Sequence, residues 1–110
     1  MSRMTRHVLF LCSQNRLRSP TAEQVFADWP GVETASAGVL ADADVPVSPE
    51  LLQWADVIFV MEPAHRARLA SRHRQWLNGK RVICLDIPDD YDFMQSELVE
   101  LLKKKVVPHL

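Results

Sequence analysis

Glycine is scarce, with three in 110 residues, and cysteine scarcer still, with two. Two thiols make no disulfide framework, so a reducing, cytoplasmic setting is the expected address. Long apolar runs are missing: none reaches bilayer length, and no membrane partner is expected. The apolar stretch 8–12 follows basic residues but is too short for a secretion-signal core and lacks a small-residue cleavage site. Charge of one sign is also absent. Thirteen Lys and Arg against fourteen Asp and Glu leave a formal net charge of −1, so no global field marks nucleic acid as a partner and any anion recognition must be local. Repeats, low-complexity tracts and long linkers are not found, and the length suits a single domain, 1–110.

What is present is an apolar fraction of 47%, dealt out in short runs. Residues 7–12 (HVLFLC) read as a strand buried on both faces. Ser19-Pro20 reads as a cap followed by a first helical residue, with Ala22, Val25, Phe26 and Trp29 on one face and Pro30-Gly31 as the stop. Residues 32–37 form a second strand pattern. Ser48-Pro49 repeats the cap signature for a shorter helix through residue 55. A third apolar run, 57–61, precedes a helix from Pro63 to about Asn78, closed by Gly79. Residues 81–85 make the fourth strand. A last helix over 94–107 turns Leu98, Leu101, Leu102 and Val106 inward and allows Glu100 to pair with Lys104.

Strand and helix alternate four times, which implies an α/β three-layer sandwich around a four-stranded parallel sheet, expected in the flavodoxin-like order 2-1-3-4. Ligands bind such sheets beyond the carboxyl ends of the strands. The first loop there is CSQNRLRSP. A free thiol, with pKa about 8.5, is mostly protonated at neutral pH. A helix N-terminus and the guanidiniums of Arg16 and Arg18 favour its thiolate, and the loop amides with Arg18 can grip phosphoryl oxygens. The bland alternative is a buried, inert Cys12 with solvated arginines. The capping Ser-Pro pair directly after the two arginines weighs against it.

The segment CSQNRLRSPTAE resembles the signature of the low-molecular-weight protein tyrosine phosphatases, and ASAG at residues 35–38 continues the match. The resemblance implies that Cys12 attacks phosphorus to form a cysteinyl-phosphate and that Arg18 binds the oxygens. Ser13, Gln14, Asn15, Arg16 and Leu17 complete the phosphate-binding loop. Ser19 would donate to the Cys12 sulfur, and Asn15 would brace the loop through Ser36 and Ser19. LDIPDDYD supplies the acid: set on the family pattern it gives Asp89, with Asp90 where the family has proline and Tyr91 beside it. Asp89 against Asp90 stays open, and Tyr91 either stacks on an aromatic substrate or covers the core edge. Three departures stand out. Gln14 replaces a frequent glycine, where any left-handed backbone would be costly; Leu17 replaces a protective cysteine; and the chain is shorter than usual, with little between Gly38 and Ser48.

The expected function is hydrolysis of phosphate monoesters, on a phosphorylated protein or a small aryl phosphate, with no cofactor and no metal. An arsenate reductase, needing a relay through Cys84, and a phosphate-binding or phosphoryl-carrier module are the competing readings. The basic stretch 64–76 reads as the wet face of an amphipathic helix, with His73 as a satisfied core histidine. Nothing in the sequence sets an oligomeric state.

Overall fold

The computed structural model describes residues 5–110; the basic start of the opening segment, at Arg3, lies outside the described residues. Four strands, β1 (Arg6–Cys12), β2 (Val32–Gly38), β3 (Val57–Val60) and β4 (Arg81–Cys84), pair in parallel in the order β2-β1-β3-β4. Four α-helices connect and cover them: α1 (Arg18–Phe26), α2 (Pro49–Trp54), α3 (Pro63–His73) and α4 (Ser96–Val106).

The unbroken apolar run of β1 follows from its central place, because successive side chains alternate faces and both faces are covered. Val8, Phe10 and Cys12 enter a cluster with Ala22 and Phe26 of α1 and Leu98, Leu102 and Val106 of α4. Leu9 and Leu11 enter the opposite cluster with Leu52 of α2 and Leu69 of α3. Phe10 stacks on Phe26 and Phe59, with ring centroids 5.9 and 5.4 Å apart. Each such ring, fully buried, contributes roughly 1.5–3 kcal/mol. Register sets the site. Cys12 pairs with Gly38, so β1 and β2 finish level and deliver their following segments side by side.

Several boundaries differ from the sequence expectation for visible reasons. The third helix stops at His73 and tightens into a 3-10 turn over Arg74–Trp76. Gly79, at φ +76, serves the separate turn in which Lys80 N–H donates to Leu77 O at 3.0 Å. The last helix starts at Ser96, because Met94 takes a left-handed φ of 60 and Asp92 to Gln95 form a turn before it. The fourth strand ends at Cys84, two residues before Asp86 at φ 54. The Glu100–Lys104 pair is not among the ion pairs of the described residues. Lys105 is the lysine of this helix that makes a tertiary bond, donating to Leu85 O at 2.8 Å. No helix among the described residues is long and apolar enough to cross a membrane.

Candidate active site

The loop from Cys12 to α1 is built against β2 residue by residue. Asn15 adopts φ 59, a left-handed conformation that asparagine tolerates better than most side chains. Its amide Nδ2 donates to Ser19 Oγ at 3.0 Å and to Ser36 Oγ at 2.9 Å. Ser36 in turn donates to the Glu23 carboxylate. Ser19 Oγ donates to Ala37 O at 3.3 Å and lies 2.9 Å from the Cys12 sulfur, a contact in which either atom can be the donor. Gly38 completes the support: a Cβ there would lie 2.6 Å from Ser13 O and 2.5 Å from the Ala43 side chain. The ASAG segment is thus the back wall of the loop. The strained residue is Asn15 and not Gln14, correcting the expectation placed on the missing glycine.

Ser19 does not cap the helix. The first helix begins at Arg18, with Leu17 in the capping position and no side-chain cap; Thr21 N–H donates to Leu17 O at 3.1 Å. Pro20 falls inside the first turn, where its missing N–H loses no bond. Ser19 is fully buried against Cys12, and its oxygen is already engaged. The N–H groups of residues 14–17 donate to no carbonyl or side chain among the described residues, leaving them open to solvent or a ligand at the positive end of α1.

Arg18 is 2% exposed. Its Nη1 donates to Ile87 O at 2.7 Å and to the Glu62 carboxylate, and its Nε lies 3.8 Å from Asp89 Oδ1. One guanidinium therefore joins the loop after β1 to the segments after β3 and β4. Glu62 also caps α3, its carboxylate facing the backbone N–H of His65 while its own N–H donates to His65 Nδ1 at 3.1 Å. A backbone N–H can only donate, so Nδ1 is the unprotonated nitrogen. Nε2 therefore carries the hydrogen, donated to Ser13 Oγ at 2.9 Å. Burial first, then the Arg18 charge, hold the His65 pKa below its ordinary value, against the opposing pull of Glu62 and Asp89.

Cys12, Ser13, Gln14, Arg16, Leu17, Arg18 and Asp89 line one pocket of about 290 Å³. Asn15 and Ser36 stand behind it. Arg16 lies at the rim, donating to Asp44 Oδ1 at 3.3 Å and to Gln14 Oε1 at 3.1 Å. The short segment after Gly38 encloses the loop through backbone bonds from Val39, Leu40 and Asp44 to the carbonyls of Cys12, Ser13 and Gln14. Asp90 is exposed and is not a pocket wall. Tyr91 packs on the edge of the core beside α4 rather than at the pocket. His73 is half-buried and lines a different cavity, with Arg68 and Arg72. Cys84 packs toward the opposite face of the sheet from Cys12, and burial pushes its thiol up. Among the described residues, no group of three His, Cys, Asp or Glu side chains is placed to hold a metal ion.

Glu62 and His65 were not singled out from the sequence. Their signal was local: an acidic residue directly after a buried strand, then proline, then histidine at the third helical position, a spacing that lets the two residues cap each other.

The chain superposes on solved proteins over nearly its whole length. The tyrosine phosphatase Wzb of Escherichia coli K30, in complex with phosphate, matches with a TM-score of 0.77 and 20% identity, over 96% of either chain. A low-molecular-weight protein tyrosine phosphatase from T. tengcongensis matches at 0.75 and 23%, over 96% of this chain and 100% of that one. The chain has the low-molecular-weight protein tyrosine phosphatase fold. The YwlE arginine phosphatase from Geobacillus stearothermophilus shares it, with a TM-score of 0.72 and 20% identity over 96% of this chain and 97% of that one. No protein-family model and no curated protein matches the sequence.

Proposed function

We propose that the chain is a phosphatase acting on phosphate monoesters, with Cys12 as nucleophile. The observation that carries this reading is the convergence of the Cys12 sulfur, Arg18 and Asp89 on one pocket beside four unpaired loop amides. The Cys12 thiolate attacks phosphorus, and the S–P bond forms as the bond to the leaving oxygen breaks. Asp89 gives that oxygen its proton. Arg18 and the loop amides hold the phosphoryl oxygens, whose charge spreads in the transition state. In the second step water attacks phosphorus, Asp89 takes its proton, and the sulfur departs as thiolate with the Ser19 hydroxyl donating to it. Between the two acidic candidates, the reading assigns the acid to Asp89, which lies at the pocket, over Asp90, which does not.

The solved relatives are described as tyrosine and arginine phosphatases. A phosphotyrosine or other aryl phosphate is the first expectation here. Among the described residues no aromatic side chain lines the pocket, and phosphoarginine, suggested by the name of one neighbour, is the second substrate to be tested. An electron relay of the arsenate-reductase kind would need Cys84, which faces the other side of the sheet. The testing experiment is hydrolysis of an aryl phosphate, phosphotyrosine and phosphoarginine by purified protein and by Cys12→Ser. Steady turnover lost in the variant is the expected result. No turnover of any of the three by the wild-type chain would overturn the reading, and a stoichiometric burst without turnover would point to a phosphoryl carrier.

A further inference from the structure

Building on the proposed phosphatase reading, we propose that the Ser13 hydroxyl is a phosphoryl-oxygen donor whose direction is set by His65, a positioning residue at the start of α3.

Three groups form a one-way chain. Glu62 N–H donates to His65 Nδ1 at 3.1 Å, which leaves Nε2 as the protonated nitrogen; Nε2–H donates to Ser13 Oγ at 2.9 Å. The serine oxygen is thereby an acceptor on the His65 side. Its own O–H must point elsewhere, and Ser13 is a wall of the pocket that holds Cys12 and Arg18. The backbone on either side is fixed: Val39 and Leu40 N–H donate to the Cys12 and Ser13 carbonyls at 2.9 and 3.1 Å. A hydroxyl so placed adds a donor to a loop that otherwise presents amides and the guanidiniums of Arg16 and Arg18. Glu62 serves both, since its carboxylate holds Arg18 and its N–H fixes the imidazole that aims Ser13.

His65 is 4% exposed and faces Ser13 on the loop, Arg18 on α1, Glu62 on its own helix and Asp89 on the loop after β4. Its lowered pKa agrees with a neutral ring at working pH. Protonating Nδ1 would break the bond from Glu62 N–H and release the chain at its origin.

The test is inorganic phosphate as a competitive inhibitor of aryl phosphate hydrolysis, with ring-nitrogen NMR of His65. Ser13→Ala is expected to weaken phosphate about tenfold, the scale of one hydrogen bond to a charged group. Ser13→Thr, which keeps the hydroxyl, should stay within about threefold. His65→Asn, whose amide oxygen can still accept from Glu62 N–H, should weaken phosphate several-fold in the wild-type background and add nothing in Ser13→Ala. The NMR spectrum should show Nε2 protonated and should shift when phosphate is added. Phosphate inhibition unchanged in Ser13→Ala, or losses that multiply in the double variant, would overturn this inference alone. A wild-type chain that neither turns over nor binds phosphate would overturn it together with the phosphatase reading.

Discussion

Two loops leave the same edge of the sheet and are built in opposite ways. The loop after β1 is tied down at nearly every residue: Asn15 to Ser19 and Ser36, Ser13 to His65 and Leu40, Gln14 to Asp44, Arg18 to Glu62 and Ile87. Two of its side chains proposed for the chemistry are buried, Arg18 at 2% and Ser19 at 0% exposure. The loop after β4 is bonded chiefly at its root, by Leu85 and Ile87 N–H to β3 and its following residue, by Lys105, and by Arg18 Nη1 to Ile87 O. Residues 88–90 are exposed, the Asp89 side chain at 61%, before Tyr91 packs on the core edge and Met94 N–H donates to Thr21 Oγ1 at 2.9 Å. A cradle for a dianion must keep its donors in place before the ligand arrives, because reorganising them at the transition state would cost the stabilisation they give. A proton donor needs one carboxyl within reach and can be carried by a loop held at its base.

The contrast gives predictions that separate chemistry from architecture. The largest effect is expected at Cys12. Replacing it with serine should remove turnover by a factor of about 10⁴ or more, since a serine at its free pKa is a weak nucleophile, while circular dichroism stays native. Arg18→Lys keeps the charge but loses the planar fork, and kcat/KM should fall by about 10²–10³, read by steady-state kinetics. Asp89→Asn should lower kcat by about 10²–10³ with an aryl phosphate of poor leaving group, whereas Asp90→Asn should stay within about twofold. Because Asp89 is exposed, its substitution should leave the thermal midpoint unchanged. Equal losses at Asp89 and Asp90 would erase the distinction drawn between them.

On the architectural side, Asn15→Ala removes one buried and one part-buried hydrogen bond and puts an alanine in left-handed backbone without local compensation. It should cost about 2–3 kcal/mol in urea unfolding. Gly38→Ala forces a side chain onto Ser13 O and should cost about 1–3 kcal/mol, with a parallel loss of phosphate affinity. The smallest effect is pH dependence. The His65 pKa is lowered in the folded state, so above the ordinary value of 6.5 both states hold a neutral ring and nothing is lost. As pH falls below 6.5 the unfolded chain takes up the proton first and stability declines, until the folded-state pKa is passed. His65→Asn should flatten that decline in unfolding curves collected on either side of pH 6.5.

Much of the sheet could be read directly from the chain, because Val8 to Cys12 of β1 and all of β3 are apolar without interruption and central parallel strands have no other way to be buried. The helix ends were harder, and the two Ser-Pro pairs show why. Ser48 caps its helix, accepting from Leu51 N–H at 3.3 Å, while Ser19, in the same dipeptide, is turned into the protein toward Cys12. Local chemistry permits both uses; only the neighbouring thiol and Asn15 decide between them. In the site, Cys12 and Arg18 were legible from spacing and their placement before a helix. Glu62 and His65 were not, because they act across some 50 residues of chain and their own segment reads as an ordinary basic helix. The family pattern already placed Asp89 ahead of Asp90, and the structure adds that Asp89 lines the pocket with its Oδ1 3.8 Å from Arg18 Nε.

The most direct test is to mix the protein with an aryl phosphate carrying a good leaving group, quench within the first turnovers under denaturing conditions, and map the phosphoryl group by mass spectrometry. Phosphate on Cys12, increased in Asp89→Asn and absent in unreacted protein, is the expected result. Turnover with no phosphorylated Cys12 at any time, or with the group on another residue, would contradict the account.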